Sequence, residues 1–197
     1  MKLLKLKTAK SVAGGLKGRA LLDGMEAALK NDPGLSAVVY INLNLKVDAG
    51  LSAMGLKQVL CDGFDAAIGT RSPEKGGLVI GRGIAGNLKS RFFNFLVRML
   101  LPPIKTYYDT NAPMKVYNPA AAGLLVRSAV LPTVSMDCEW LMLLHLNGYQ
   151  VARFPIAWVQ RFGSRPPWHM ILPCFMDILK IRKRWKLGRM SPANKCV

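Results

Sequence analysis

The chain has 197 residues, 28 Lys and Arg against 11 Asp and Glu, a formal net charge of +17 and 51% apolar residues. That length and apolar fraction suffice to bury a core within one domain, and they exclude a disordered tail or a wholly polar binding peptide. Four scattered cysteines (Cys61, Cys138, Cys174, Cys196) without a CxxC pair, and two histidines (His145, His169), argue against a zinc site or disulfide framework and fit a reducing compartment.

In chain order, residues 3–6 read as a short strand, and the glycine-rich turn Gly14-Gly15-Leu16-Lys17-Gly18 leads into residues 19–30. There Leu21, Leu22, Met25, Ala28 and Leu29 make one apolar helix face. Asn31-Asp32-Pro33-Gly34 stops that helix, and residues 37–41 read as a buried strand. A helix over 51–60, a strand over 65–69 and a glycine-punctuated loop over 72–86 come next. Residues 87–101 read as a helix, 115–117 as a short strand, and Pro119 opens another helix. Residues 137–146 form a Leu- and Met-rich helix closed by Asn147-Gly148. Residues 151–159 read as a strand that Pro155 makes an edge or bulged one, and 170–186 as a basic amphipathic helix. Short strands alternating with helices predict an α/β fold with a mostly parallel sheet.

No run reaches the roughly 18 uninterrupted apolar residues of a spanning helix. Residues 92–104 are interrupted by Arg98 and Pro102-Pro103, and residues 168–179 by Pro173 and Asp177. The opening seven residues carry the charge of a signal n-region without an apolar stretch behind it, so the expected location is cytoplasmic. From Arg153 onward there are ten basic residues and one acid, Asp177. Such a segment seeks an anionic surface, whether membrane, nucleic acid or phosphorylated substrate. No nucleic-acid reading motif accompanies the charge, so nucleic acid is not among the expected partners.

Several residues are candidates for chemistry. A glycine turn before a helix, here Lys17-Gly18, is either a generic anion site or an ordinary tight turn. Asn42 and Asn44 lie just past a strand end, where α/β proteins bind ligands, and at i and i+2 they point to one side. Asp109 and Lys115 flank a five-residue turn, and Asp137 and Glu139 open a helix. These acids are either cap and first-turn residues or general-base or substrate-orienting carboxylates.

The order of the pieces says more than each alone. Lys17-Gly18-Arg19 with Gly24, Gly69-Thr70-Arg71, Phe93-Asn94-Phe95-Leu96-Val97-Arg98, the 109–115 box Asp-Thr-Asn-Ala-Pro-Met-Lys, Asp137-Cys138-Glu139, Gly148-Tyr149 and Pro155-Ile156-Ala157-Trp158 occur in sequence. From Lys17 to about Trp185 this resembles family 2 glycosyltransferases that load a sugar onto a polyprenyl (dolichyl or undecaprenyl) phosphate. The resemblance implies a GT-A-like fold over residues 1–167, with 168–197 as a basic amphipathic segment holding the chain peripherally at the cytoplasmic face of a membrane. It implies a nucleotide-sugar donor, a polyprenyl phosphate acceptor and Mg²⁺ or Mn²⁺ at residues 42 and 44. It also implies phosphate-binding or substrate-binding roles for Lys17, Gly18, Arg71, Arg82, Arg91 and Lys115, and catalytic or orienting roles for Asp109, Asp137 and Glu139. The family's metal-holding Asp-x-Asp falls on Asn42-Leu43-Asn44, where neutral oxygens replace the carboxylates a hard cation prefers. Family members also carry about two earlier strands, so the expectation is a sheet lacking its first strands. A non-catalytic relative, or a subunit completed by a second chain, is the alternative.

Overall fold

The computed structural model describes residues 17–41, 49–73, 76–81, 84–133, 135–159 and 171–190. In chain order its elements are α1 (Lys17–Asn31), β1 (Val38–Ile41), α2 (Ser52–Leu60), β2 (Ala66–Thr70), β3 (Leu78–Ile80), α3 (Ile84–Leu100), β4 (Met114–Tyr117), α4 (Pro119–Ser128), α5 (Met136–Leu146), β5 (Val151–Pro155), β6 (Ala157–Val159) and α6 (Ile171–Lys186). The strand expected over residues 3–6 lies outside the described residues.

Most elements fall where periodicity puts them, and three differ. The stretch read as a loop over 72–86 contains β3, and α3 begins at Ile84 rather than at residue 87. Glycines at 76, 77, 81, 83 and 86 hide both from a propensity reading. The single strand expected over 151–159 is two strands meeting at Ile156, because β5 pairs with β2 whereas β6 pairs with β3 in a separate two-stranded sheet. Pro155 marks that change of sheet, as a residue with no N–H to donate should. Neither Asp137 nor Glu139 is the cap of α5: the cap position is Ser135.

The main sheet has the order β1-β4-β2-β5. β1, β2 and β5 point one way, and β4 alone runs against them between β1 and β2. The parallel expectation therefore holds for the direction of three strands, while two of the three ladders are antiparallel. β4 is reversed because residues 101–113 bring the chain from α3 back to the edge at which β2 ends.

Side chains alternate between two apolar layers. On one face Ala67, Met114, Val116, Ala152 and Phe154 pack with Val59 of α2. On the other, Ala66, Ile68 and Tyr117 meet Leu22 and Met25 of α1, Leu125 of α4, Trp140 of α5 and Ile181 of α6. β2 is buried at all five positions and is built of small residues, as a strand covered on both faces must be. α5 is buried from Met136 to Leu144, so it places two carboxylates, Asp137 and Glu139, inside the protein. Each then needs a partner.

At the amino edge of the sheet, Asn118 caps α4 by accepting the Ala121 N–H at 2.7 Å and donates to the Asp65 carboxylate at 2.9 Å. The other Asp65 oxygen accepts the Gln150 N–H at 2.8 Å. The entries to β2, α4 and β5 are thus tied to one carboxylate, which leaves the opposite edge for a site. No helix among the described residues is long and apolar enough to cross a membrane.

Candidate active site

The carboxyl ends of β1, β2 and β5 and the start of the reversed β4 share one edge. In open α/β sheets ligands bind at this edge. Arg71, the residue after β2, is joined there to Asp109, which precedes β4. The Asp109 Oδ2 accepts the Arg71 backbone N–H and Nε–H, both at 2.8 Å, and Oδ1 accepts from Nη2 at 2.5 Å. Nη2 also donates to the Asn111 carbonyl at 3.2 Å. The guanidinium lies 5.4 Å from the centre of the Trp158 ring on β6, within cation–π range. The side chains are only 16% and 9% exposed, so this is a fixed unit rather than a fluctuating surface pair.

Burial opposes ionisation of Asp109, but the Arg71 side chain, its backbone N–H and the charge of Lys115 outweigh it, and the carboxyl sits below its ordinary range. Burial works against the Arg71 charge too, and Asp109 more than offsets it, so the guanidinium is held above its ordinary value. The unit stays an ion pair at neutral pH, and its carboxylate, already accepting three hydrogen bonds, is poorly placed to take a proton.

Behind this edge Lys115 is completely buried on β4. Its ammonium donates to the Ala112 carbonyl at 2.6 Å and to Asp137 at 2.8 Å, and lies 5.3 Å from the Tyr40 ring centre. Lys115 and Asp137 therefore form an internal strut that fixes the 109–113 turn. Next to it the Cys138 thiol is 3.5 Å from the Thr110 hydroxyl, and burial pushes it up to about 12, which removes it as a nucleophile at neutral pH.

Glu139, fully buried, points away from the strut. Its carboxylate accepts the Val130 and Leu131 N–H groups and pairs with Arg184 of α6, whose other nitrogen donates to the Ser128 carbonyl. Burial raises the Glu139 carboxyl above its ordinary range in spite of those partners. Sequence reasoning grouped Asp137 with Glu139, whereas the helix turns them toward different neighbours.

Of the remaining candidates, Gly18 packs against the 131–132 loop: its N–H donates to the Pro132 carbonyl at 2.8 Å, and a Cβ there would sit 2.7 Å from the Leu131 oxygen. That N–H is already used, so the glycine serves close packing. Arg91 is exposed on α3. The Lys17 side chain, Arg82, Asn42 and Asn44 lie outside the described residues. Trp158, Tyr40 and Arg184 were missed as partners; only Trp158, inside the Pro-Ile-Ala-Trp motif, carried any sequence signal.

Among the described residues no group of three or more His, Cys, Asp or Glu could hold a metal ion. The nearby acids are taken by Arg71, Lys115 and Arg184. Beyond β1 the chain offers Asn42 and Asn44, a pair of neutral side-chain oxygens. This donor set fits a divalent cation poorly.

No family model and no curated protein matches the chain. Solved structures do. Glucosyl-3-phosphoglycerate synthase from Mycobacterium tuberculosis, in complex with Mn²⁺, UDP-glucose and phosphoglyceric acid, superposes with a TM-score of 0.57 at 13% identity, covering 92% of this chain and 56% of that one. Mannosyl-3-phosphoglycerate synthase from Rubrobacter xylanophilus gives a TM-score of 0.56 at 14% identity, covering 88% and 52%. Another structure of the mycobacterial protein holds Mg²⁺ and UDP. The chain spans about half the length of these structures. The fold is thus the GT-A α/β fold that the sequence order anticipated, with a sheet flanked by helices. These structures of the mycobacterial protein hold Mn²⁺ or Mg²⁺ together with a uridine nucleotide.

Proposed function

We propose that the chain is the acceptor-side part of a glycosyltransferase that moves a sugar from a nucleoside-diphosphate donor to a phosphate-bearing acceptor. The observation that carries this reading is the Arg71–Asp109 unit, stacked on Trp158 at the carboxyl edge of a GT-A sheet. An oxygen of the acceptor phosphate attacks the anomeric carbon, the bond from that carbon to the diphosphate breaks, and the nucleoside diphosphate leaves. The attacking oxygen is already anionic, so charge stabilisation matters more than a strong base. Arg71 supplies that charge. Asp109 positions it, Lys115 and Asp137 hold the turn that carries Asp109, and Glu139 fixes the loop before α5. Arg82, Arg91 and Lys17 are further cations for donor or acceptor phosphates.

The finer reading is a polyprenyl phosphate acceptor met at the cytoplasmic face of a membrane. It is supported by the ordered motifs and by exposed apolar side chains on neighbouring helices: Phe92, Phe95 and Met99 on α3, and Leu172 and Met176 on α6. The molecules bound beside UDP-glucose in the neighbours, phosphoglyceric acid and glycerol 3-phosphate, also carry phosphate. A second reading, a non-catalytic relative or one subunit of a split enzyme, is favoured by two observations: Asp109 and Asp137 are each neutralised by a cation, and the Asp-x-Asp positions hold asparagine.

Calorimetric titration of UDP-glucose and GDP-mannose with Mn²⁺ into the unaltered chain, and into an Asn42→Asp, Asn44→Asp variant, separates the two. Binding by the unaltered chain, followed by sugar transfer to a polyprenyl phosphate in detergent, supports the transferase. Binding by the variant alone identifies a pseudoenzyme disabled at the metal position. Silence from both overturns the transferase reading for this chain by itself.

A further inference from the structure

We infer that the groove between α6 and the α4–α5 connection is a binding site for a single anionic lipid, taking its phosphate and the first part of a hydrocarbon chain. The groove encloses about 300 Å³ and shares no lining residue with the small cavity at the strand ends. It is therefore a separate site, and the inference does not rest on the transferase reading.

The walls specify the ligand chemistry. Buried Leu131 and Ile181 lie beneath the floor, and its uncovered aliphatic surface is that of Val130, 59% exposed, and Leu187, 50% exposed. Four cations rim it: Lys180, Lys183, Arg184 and Arg189. Two are already held. Arg184 is fixed by Glu139 and the Ser128 carbonyl, and Lys180 by Asp177, which itself accepts the Thr133 hydroxyl at 2.6 Å. The side chains of Lys183 and Arg189 make no hydrogen bond or ion pair with any described residue. Two fixed cations shape the mouth, and two that no described residue engages are left to close on an anion. A free phosphate would use the rim and leave the floor bare; a polar polyanion would do the same. A phosphate with a hydrocarbon chain attached uses both, and it is this match of charge with apolar lining that selects a lipid.

The test is calorimetry on the full chain at about 0.15 M salt, where diffuse attraction is screened beyond a Debye length of roughly 8 Å. The probes are dihexanoyl phosphatidic acid below its micellar concentration, dihexanoyl phosphatidylcholine, inorganic phosphate and a poly-glutamate peptide. Phosphatidic acid should bind about tenfold or more tighter than phosphate, since burying a few methylenes suffices for that factor. Leu187→Asn should remove the lipid advantage and leave phosphate binding unchanged, and the Lys183→Ser, Arg189→Ser variant should bind neither. The charge-matched Lys105→Ser, Lys186→Ser variant should keep lipid binding within about twofold, since neither residue lines the groove. All substituted positions are exposed or half-buried, and unchanged circular dichroism confirms folding. Equal affinity for phosphate, phosphatidic acid and the peptide would make this a general anion site and overturn the inference. So would equal losses in the two charge-matched variants, tight binding of phosphatidylcholine, or no binding of phosphatidic acid.

Discussion

At the scale of single residues, the charges expected to do chemistry divide into one edge pair and two internal supports. The Arg71–Asp109 pair should make stability depend on acid. Asp109 has a folded-state pKa below its unfolded value of about 3.9, so its contribution is complete above that value and is lost as pH falls through the folded one. Asp109→Asn should cost about 3–5 kcal/mol at neutral pH, because it leaves Arg71 buried without its counter-charge. It should also flatten the acid limb of a plot of urea midpoint against pH. Lys115 and Asp137 offer a sharper comparison. Lys115→Met alone strands a carboxylate that is 2% exposed and should destabilise by a similar amount. The double variant Lys115→Met, Asp137→Leu should recover most of that loss, yet it forfeits the bond to the Ala112 carbonyl that holds the 109–113 turn. Denaturant unfolding of the two variants measures the first effect, and donor affinity measures the second.

At the scale of elements, helices with an apolar face or a continuous apolar run and a clear start or stop were legible, as in α1, α4 and α5, where Pro119 starts one and Gly148, at φ +77°, ends another. β3 and the first turn of α3 were not, because glycines between residues 76 and 86 conceal elements that tertiary contact stabilises. The amino edge of the main sheet depends on a link between elements that no local pattern displays. Asn118 serves both as the α4 cap and as a donor to Asp65. Asn118→Ala should therefore cost more than the ~1 kcal/mol of an ordinary cap, about 2 kcal/mol, whereas Asn118→Asp keeps the cap and sets a second carboxylate against Asp65. Thermal unfolding of the two variants ranks the contributions.

For the whole molecule, a net charge of +17 on a chain with a pI near 10.1 predicts attraction to anionic surfaces wherever they occur. Association with vesicles containing phosphatidylglycerol should weaken steeply as salt rises from about 0.05 to 0.5 M, and vesicles of phosphatidylcholine alone should be bound far less. Co-sedimentation across that salt series checks this. A plateau that survives high salt measures the apolar contribution of the exposed stripes on α3 and α6.

The sequence by itself determined the α/β class, most element positions and, through the order of its motifs, the GT-A fold, since these depend on local periodicity and on the succession of pieces along the chain. It also put Arg71, Asp109 and the Pro-Ile-Ala-Trp segment where strands end or begin, at the edge proposed as the site. Only the tertiary structure decided what each charge does. Arg71 finds Asp109 38 residues away, Lys115 finds Asp137 across 22, and Arg184 reaches Glu139 across 45. A carboxylate seen in sequence is equally a base, a cap or a support. Burial settles which, since each charge carried into the interior must be met there by a partner of opposite sign or by hydrogen-bond donors.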